Sequence, residues 1–249
     1  MESYNAFAPY YDRFQRGIDY AARAAYFDGL IRDFGGEKGL LLDLACGTGS
    51  LSLALAKRGY DVIGVDQSPD MLSIAQQKAA EAGERVLFLC QSMEALDLYG
   101  TVTSCVSALD SLNHLTDEAA LARAIGRVSL ILEPNGVFVF DLNTPYKHRE
   151  LLADRTYVYE DEDALCIWQN ETDGTQTRIT LDFFAYQGND LYRRSGEEFC
   201  ERAYDEATIR RICAEQGLAV RAVYAADTRE APAETTDRWV FVAVKEPAV

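Results

Sequence analysis

Between residues 39 and 142 short apolar runs alternate with stretches of helical pattern. Leu40-Leu41-Leu42 leads into Asp43, and Val62-Ile63-Gly64-Val65 leads into Asp66. Val86-Leu87-Phe88-Leu89, Val102 to Ala108 and Val137-Phe138-Val139-Phe140 follow. Runs that are apolar on both faces suit strands covered by helices on each side, as in a parallel sheet. The intervening helices carry their own punctuation. Ser68-Pro69-Asp70 supplies a cap, a proline at the first helical position and a first-turn acid, and Gly83 supplies a stop. Thr116-Asp117-Glu118 opens a further helix in the same way. The alternation predicts an α/β doubly wound sheet.

After Asp141 the rhythm changes. Residues 156–204 read as alternating strands, with turn signals at Asp173-Gly174 and Gly188-Asn189-Asp190. Around Arg178-Ile179-Thr180-Leu181-Asp182-Phe183 apolar side chains fall at every second position, which gives one buried and one wet face. This predicts an antiparallel insert of three or four strands. Phe183, Phe184, Tyr186 and Trp168 are assigned to its core rather than to a cation cage. A helix is expected from Asp205 to Gly217, then strands at Val220–Tyr224 and Trp239–Val244, while Tyr4–Phe34 reads as helical. The expected organisation is residues 1–155 as core and helical front, 156–204 as insert, and 205–249 as a C-terminal helix with the last two strands. The insert would serve as a lid over an acceptor or as a homodimer surface.

Composition narrows the functions. The chain has 249 residues, 24 basic against 40 acidic, for a net charge of −16. Such a balance argues against holding nucleic acid by phosphate neutralisation, or an anionic membrane by a basic face. Arg193-Arg194 and Arg210-Arg211 are isolated pairs and read as solvated. No apolar stretch approaches the roughly 20 residues that span a bilayer, and Met1-Glu2-Ser3-Tyr4-Asn5 lacks the start of a secretory signal. The six cysteines form no C-x-x-C pair and read as free thiols. The two histidines, His114 and His148, have no cysteine partner at zinc-ligand spacing, so no metal is expected. The expected location is cytoplasmic.

The chemistry is concentrated in Leu41-Leu42-Asp43-Leu44-Ala45-Cys46-Gly47-Thr48-Gly49-Ser50-Leu51. A strand ends at Asp43, a glycine turn follows, and a helix starts near Ser50. Gly47 and Gly49 allow a sharp bend and close approach of backbone to a ligand. Ser52 stands where the dinucleotide fingerprint asks for a third small residue, glycine or alanine. Asp43, four residues before the first glycine, and Asp66, nineteen residues after it, sharpen the pattern. An acid at the end of the second strand can accept both hydroxyls of a ribose.

At these positions the chain resembles the class I S-adenosylmethionine-dependent methyltransferases, with a Rossmann-like seven-stranded sheet. Asp43 to Gly49 resembles the family's first motif, whose loop lies against the methionine part of the cofactor. Val65-Asp66-Gln67-Ser68-Pro69-Asp70-Met71-Leu72 resembles the second, in which the acid holds the ribose. The resemblance carries the adenine cradle to Gln91-Ser92-Met93, with Ser92 where an aspartate is frequent. Ser107-Ala108-Leu109-Asp110-Ser111-Leu112-Asn113 resembles the cofactor-flanking loop. Tyr4-Asn5-Ala6-Phe7-Ala8-Pro9-Tyr10-Tyr11-Asp12 is similar to the helical front of a bacterial small-molecule subgroup, with Tyr11 facing cofactor or acceptor. The resemblance therefore implies S-adenosylmethionine held by Tyr11, Asp43, Ala45, Cys46, Gly47, Gly49, Asp66, Gln67, Met71, Ser92, Met93, Ala108 and Asp110.

Two further segments are set aside. Asn143-Thr144-Pro145-Tyr146 follows the fifth strand, whereas the Asn-Pro-Pro-Tyr box of nucleobase methyltransferases follows the fourth. Glu198-Phe199-Cys200-Glu201-Arg202-Ala203-Tyr204 resembles a segment that commonly has histidine at the place of Phe199, so that histidine's role does not transfer. Methyl transfer from a sulfonium needs alignment, exclusion of water and removal of any acceptor proton. Tyr11, Asn113, Tyr146 and His148 are the candidates for that work, with His148, between Lys147 and Arg149, read first as a surface residue. Two alternatives stay open at this stage: a non-catalytic module that binds the same nucleoside, and a nicotinamide-dependent oxidoreductase. The acceptor itself is expected to be a small molecule, placed between the N-terminal helices and the insert.

Overall fold

In the computed structural model, which describes residues 8–15 and 17–247, the apolar runs become strands of one twisted sheet. They are β1 (Leu40–Leu44), β2 (Asp61–Asp66), β3 (Val86–Cys90), β4 (Val102–Ser107) and β5 (Leu132–Asn143). All five are parallel. Helix α1 (Ala8–Phe14) and α2 (Tyr20–Asp33) precede them; α3 (Ser50–Ala56), α4 (Pro69–Ala82) and α5 (Glu118–Ile131) lie between. The helical front is thus broken after Phe14, and the expected helix over Tyr4–Phe7 lies outside the described residues.

Alternate residues of each central strand serve opposite layers. Leu41, Val137 and Val139 pack with Phe27, Leu30 and Ile31 of α2 on one face. Leu42, Phe138 and Phe140 pack with Leu121, Ile125 and Val128 of α5 on the other. Each fully buried side chain of this kind stabilises by about 1.5–3 kcal/mol, which is why double-sided runs mark the centre of the sheet. The predicted caps are in place: Ser68 accepts from the Met71 amide at 3.3 Å, and Asp117 accepts from the Ala120 amide at 2.8 Å.

Four antiparallel strands follow: β6 (Thr156–Asp161), β7 (Ala164–Thr172), β8 (Gln176–Gly188) and β9 (Leu191–Arg202). Helix α6 (Glu206–Glu215) then returns the chain to the first sheet, which ends with β10 (Leu218–Ala225) and β11 (Arg238–Lys245). The large sheet has the order β3-β2-β1-β4-β5-β11-β10, with β11 antiparallel to both neighbours. The inner face of the small sheet, Cys166, Ile179, Leu181 and Phe183, packs on Tyr10, Tyr11 and Phe14 of α1. Tyr10 stacks on Phe183 at 5.6 Å. The period of two corrects the aromatic core assigned from sequence: Phe183 is inside, but Phe184 and Tyr186 fall on the opposite face, and Tyr186 is exposed. No helix among the described residues is long and apolar enough to cross a membrane.

At the carboxyl end of β5, Asp141 is fully buried. It accepts from the amides of Leu109 and Asp110 at 2.9 and 2.7 Å, from Arg23 of α2 at 3.0 Å, and from Arg238 of β11 at 2.7 Å. Leu109 and Asp110 both have positive φ, 59° and 57°, so their turn is held against its backbone preference. Removing the charge would leave two buried guanidinium groups under-compensated. Asp141→Asn should cost about 3 kcal/mol, read as a lower urea midpoint with an unchanged slope; an unchanged midpoint would show that the charge is dispensable.

Candidate functional site

The glycine loop joins β1 to α3. Ala45, Gly47 and Gly49 have φ of 58°, 54° and 72°. A Cβ on Gly49 would stand 2.9 Å from the Ala75 Cβ, so close packing on α4 requires glycine there. At Gly47 a Cβ would meet nothing within 4 Å and would instead project into open space above the loop. Asp43, beneath the loop, is buried and accepts from the Ser52 hydroxyl at 2.5 Å. Burial pushes its carboxyl up to about 7, against the Ser52 hydrogen bond. Asp66 closes the loop from β2, accepting from the amides of Gly47 and Ser68, each at 2.9 Å. Burial raises its carboxyl, and those amides oppose the rise.

Helix α1 is latched across this loop. Asp12 accepts from Thr48 Oγ1 at 2.7 Å, from Ser50 Oγ at 3.3 Å and from Lys78 Nζ of α4 at 2.7 Å. The latch sets Tyr11 at the centre of the sheet edge, where burial, then Tyr20 and Asp110, raise its hydroxyl well above the usual range.

Three cavities meet there. One, of about 560 Å³, runs over the ends of β1, β2 and β3 and is lined by Ala45, Gly47, Asp66, Gln67, Met71, Ser92 and Met93. A narrow cleft of about 30 Å³ beside it is lined by Asp43, Cys46 and Ala108. The third, of about 430 Å³, lies between the N-terminal helices and the small sheet. Tyr11 and Leu109 line all three. Asp110 faces the third cavity, bonded to Arg238 at 2.5 Å. Burial alone would raise its carboxyl, but Arg238, Lys147 and His114 hold it well below the usual range.

The remaining candidates are dispersed. Asn113 is fully buried with its amide engaged: Nδ2 donates to the carbonyls of Asn143 and Arg202, and Oδ1 accepts from the Asn143 amide. It ties β9 to the end of β5. Tyr146 is half-buried at the start of a π-helical turn, Lys147–Leu152, and lines none of the three cavities. His148 corrects the surface reading. The wide turn rotates its ring inward, where it is 0% exposed and 2.8 Å from Thr177 Oγ1.

Sequence reasoning missed Arg23, Lys147, Trp168, Glu201 and Arg238, all of which line the third cavity. It also missed His114, whose ring lies 5.0 Å from that of Phe199. Asp110, His114 and Glu201 each bring one oxygen or ring nitrogen within 4.8 Å of the others. A run of charge flanking Glu201 was the available signal, and it looks like a solvated strand until β9 is docked.

A methyltransferase-domain family model matches residues 41–136. YqeM of Bacillus subtilis (strain 168), named as a methyltransferase, is 31% identical over 249 residues, covering 99% of this chain and 98% of its own. A dTDP-3-amino-3,4,6-trideoxy-alpha-D-glucopyranose N,N-dimethyltransferase of Streptomyces venezuelae is 34% identical over 150 residues, 59% of this chain and 60% of its own. The crystal structure of an S-adenosylmethionine-dependent methyltransferase from Clostridium acetobutylicum ATCC 824 superposes with a TM-score of 0.89 at 28% identity, covering 98% of this chain and 99% of that one. Similarity over the whole length, on a sheet with one antiparallel strand beside β5 and a glycine loop after β1, leads to one assignment. The chain belongs to the class I S-adenosylmethionine-dependent methyltransferases.

Proposed function

We propose that the protein moves the methyl group of S-adenosylmethionine to a small-molecule acceptor held in the cavity between the N-terminal helices and the small sheet. The observation that carries this reading is the meeting of three cavities at Tyr11 and Leu109. A nucleoside on one side and an acceptor on the other would face each other there.

The residues fit the cofactor. The open space over Gly47 is a cradle that any side chain would fill. Asp66 presents a carboxylate at the end of β2, suited to ribose hydroxyls, and Ser92 and Met93 stand at the adenine end of the same cavity. Asp43, Ala45, Cys46 and Ala108 shape the cleft for the methionine arm, and Gly49 fixes the bend. When bound, S-adenosylmethionine supplies an electrophilic methyl on a positively charged sulfur. Tyr11 and Leu109 align the two cavities, and the small sheet over α1 excludes water from the junction. Enclosure by α1, α2 and the insert suits a small acceptor better than a polymer. The Streptomyces venezuelae relative, named for a nucleotide amino sugar, supports that reading.

The direct test is calorimetry with S-adenosylmethionine, S-adenosylhomocysteine and NAD, followed by methyl-labelled cofactor in cell extract. Both sulfur nucleosides should bind, and label should collect in the ultrafiltrate; binding of NAD alone, or label retained on protein or nucleic acid, would overturn the reading. Asp66→Ala should weaken S-adenosylhomocysteine binding about tenfold to a hundredfold, and it should lower the urea midpoint modestly because the Gly47 and Ser68 amides lose their acceptor. Gly47→Val should abolish nucleoside binding by filling the cradle and cost about 1–2 kcal/mol of stability through its left-handed backbone; both are measured by the same titration and melt.

A further inference from the structure

Glu201, near the end of β9, is buried in the wall of the acceptor cavity. Its Oε2 accepts from Asn143 Nδ2 at 3.2 Å and stands 3.7 Å from His148 Nε2. Behind His148 lies a chain of hydroxyls. The Thr172 hydroxyl donates to the Gln176 carbonyl at 3.0 Å, so its oxygen accepts from the Thr177 hydroxyl at 3.3 Å. The Thr177 oxygen lies 2.8 Å from His148 Nδ1. His148 Nε2 is fully buried and without a hydrogen-bond partner, beside the Glu201 carboxyl.

The same carboxyl belongs to the cluster with Asp110 and His114, whose three acceptor atoms lie within 4.8 Å of one another. His114 lines the nucleoside cavity, whereas Asp110 and Glu201 line the acceptor cavity, so the cluster straddles their boundary. Two carboxyls beside an imidazole, all at short range, favour a cationic group such as an ammonium over a neutral hydroxyl. The wider charge agrees. Asp110, Glu201, Asp227 and Asp237 face the cavity against Arg23, Lys147 and Arg238, and both arginines are also bonded to Asp141 behind the wall.

We propose that the methyl acceptor is an amine that enters as its ammonium ion, that Glu201 takes the proton the nitrogen must lose before it attacks, and that His148 positions Glu201 by offering its Nε2 lone pair to the protonated carboxyl. This deepens the methyl-transfer reading and rests on it. The ammonium gives one proton to the Glu201 carboxylate and keeps the N–H electron pair. That pair forms the new N–C bond as the C–S pair leaves on sulfur, so one positive charge moves from sulfur to nitrogen. Burial pushes Glu201 up to about 8, with Asp110 adding to the rise and Asn143, Lys147 and Arg238 opposing it. Burial pushes His148 down to about 4, so the imidazole stays neutral and able to accept. A carboxyl raised in this way is a better-matched base for an ammonium than an ordinary one.

The test uses sinefungin, a cofactor analogue with an ammonium in place of the sulfonium methyl, against S-adenosylhomocysteine. Calorimetry at neutral pH in buffers of different ionisation enthalpy should show sinefungin binding at least about tenfold tighter and releasing about one proton, with no release for the thioether. Glu201→Gln should lose the preference and the proton release while S-adenosylhomocysteine affinity is unchanged. His148→Leu should move the pH midpoint of the release downward, since the protonated carboxyl loses its acceptor, and His148→Gln, which keeps one, should restore it. Preference and proton release retained in Glu201→Gln would overturn the proposal, as would a one-to-one zinc site that this variant destroys. Failure of wild type to bind either nucleoside would sink the methyl-transfer reading and this proposal with it.

Discussion

A carboxylate with no exposure to water must find its compensation in the protein, and Asp141 finds it in four donors from three directions. The attraction is strong because the surroundings are dry, and it is equally costly to leave unmet. Meeting it joins α2, the turn after β4, and β11 to the end of β5. The same interaction holds two consecutive residues at positive φ, which aims Asp110 into the acceptor cavity and puts Leu109 at the junction of all three cavities. The shape of all three cavities therefore depends on a residue that lines none of them.

The two halves of the site were not equally legible in the sequence. Much of the nucleoside side comes from one stretch, Asp43 to Met71, in which strand, glycine turn and acid follow each other at short range. Backbone geometry dominates there, and glycine spacing reports backbone geometry directly. The acceptor side is assembled from α1, α2, the turn after β5, β9 and β11, whose order along the chain says little about who meets whom. Glu201 and Arg238 carry charges that a sequence assigns to solvent by default. His148 was misplaced for a related reason: its flanking Lys147 and Arg149 suggest a surface turn, but a π-helical turn advances by a different angle per residue and carries the ring inside. Period two was legible in β8, and carried past Phe183 it already places Phe184 and Tyr186 on the opposite face.

This division has a chemical logic. On the proposed reading, main-chain amides, glycines and one or two acids would meet the nucleoside. Long charged side chains and an added sheet would meet the other partner, and they stand on elements separate from the glycine loop. In the cavity between the N-terminal helices and the small sheet, four acids face three basic side chains in a partly buried setting.

Asp12 holds α1 to the glycine loop, while the neighbouring Arg13 bonds Asp161 at 2.7 Å and Tyr10 stacks on Phe183 of the small sheet. One short helix is thus stitched to the floor of one cavity and to the roof of the other. Any movement that uncovers the loop also withdraws Tyr11 from the acceptor cavity and loosens the roof above it. The two cavities therefore share one seven-residue helix as a common wall, so a displacement of that helix would alter both together.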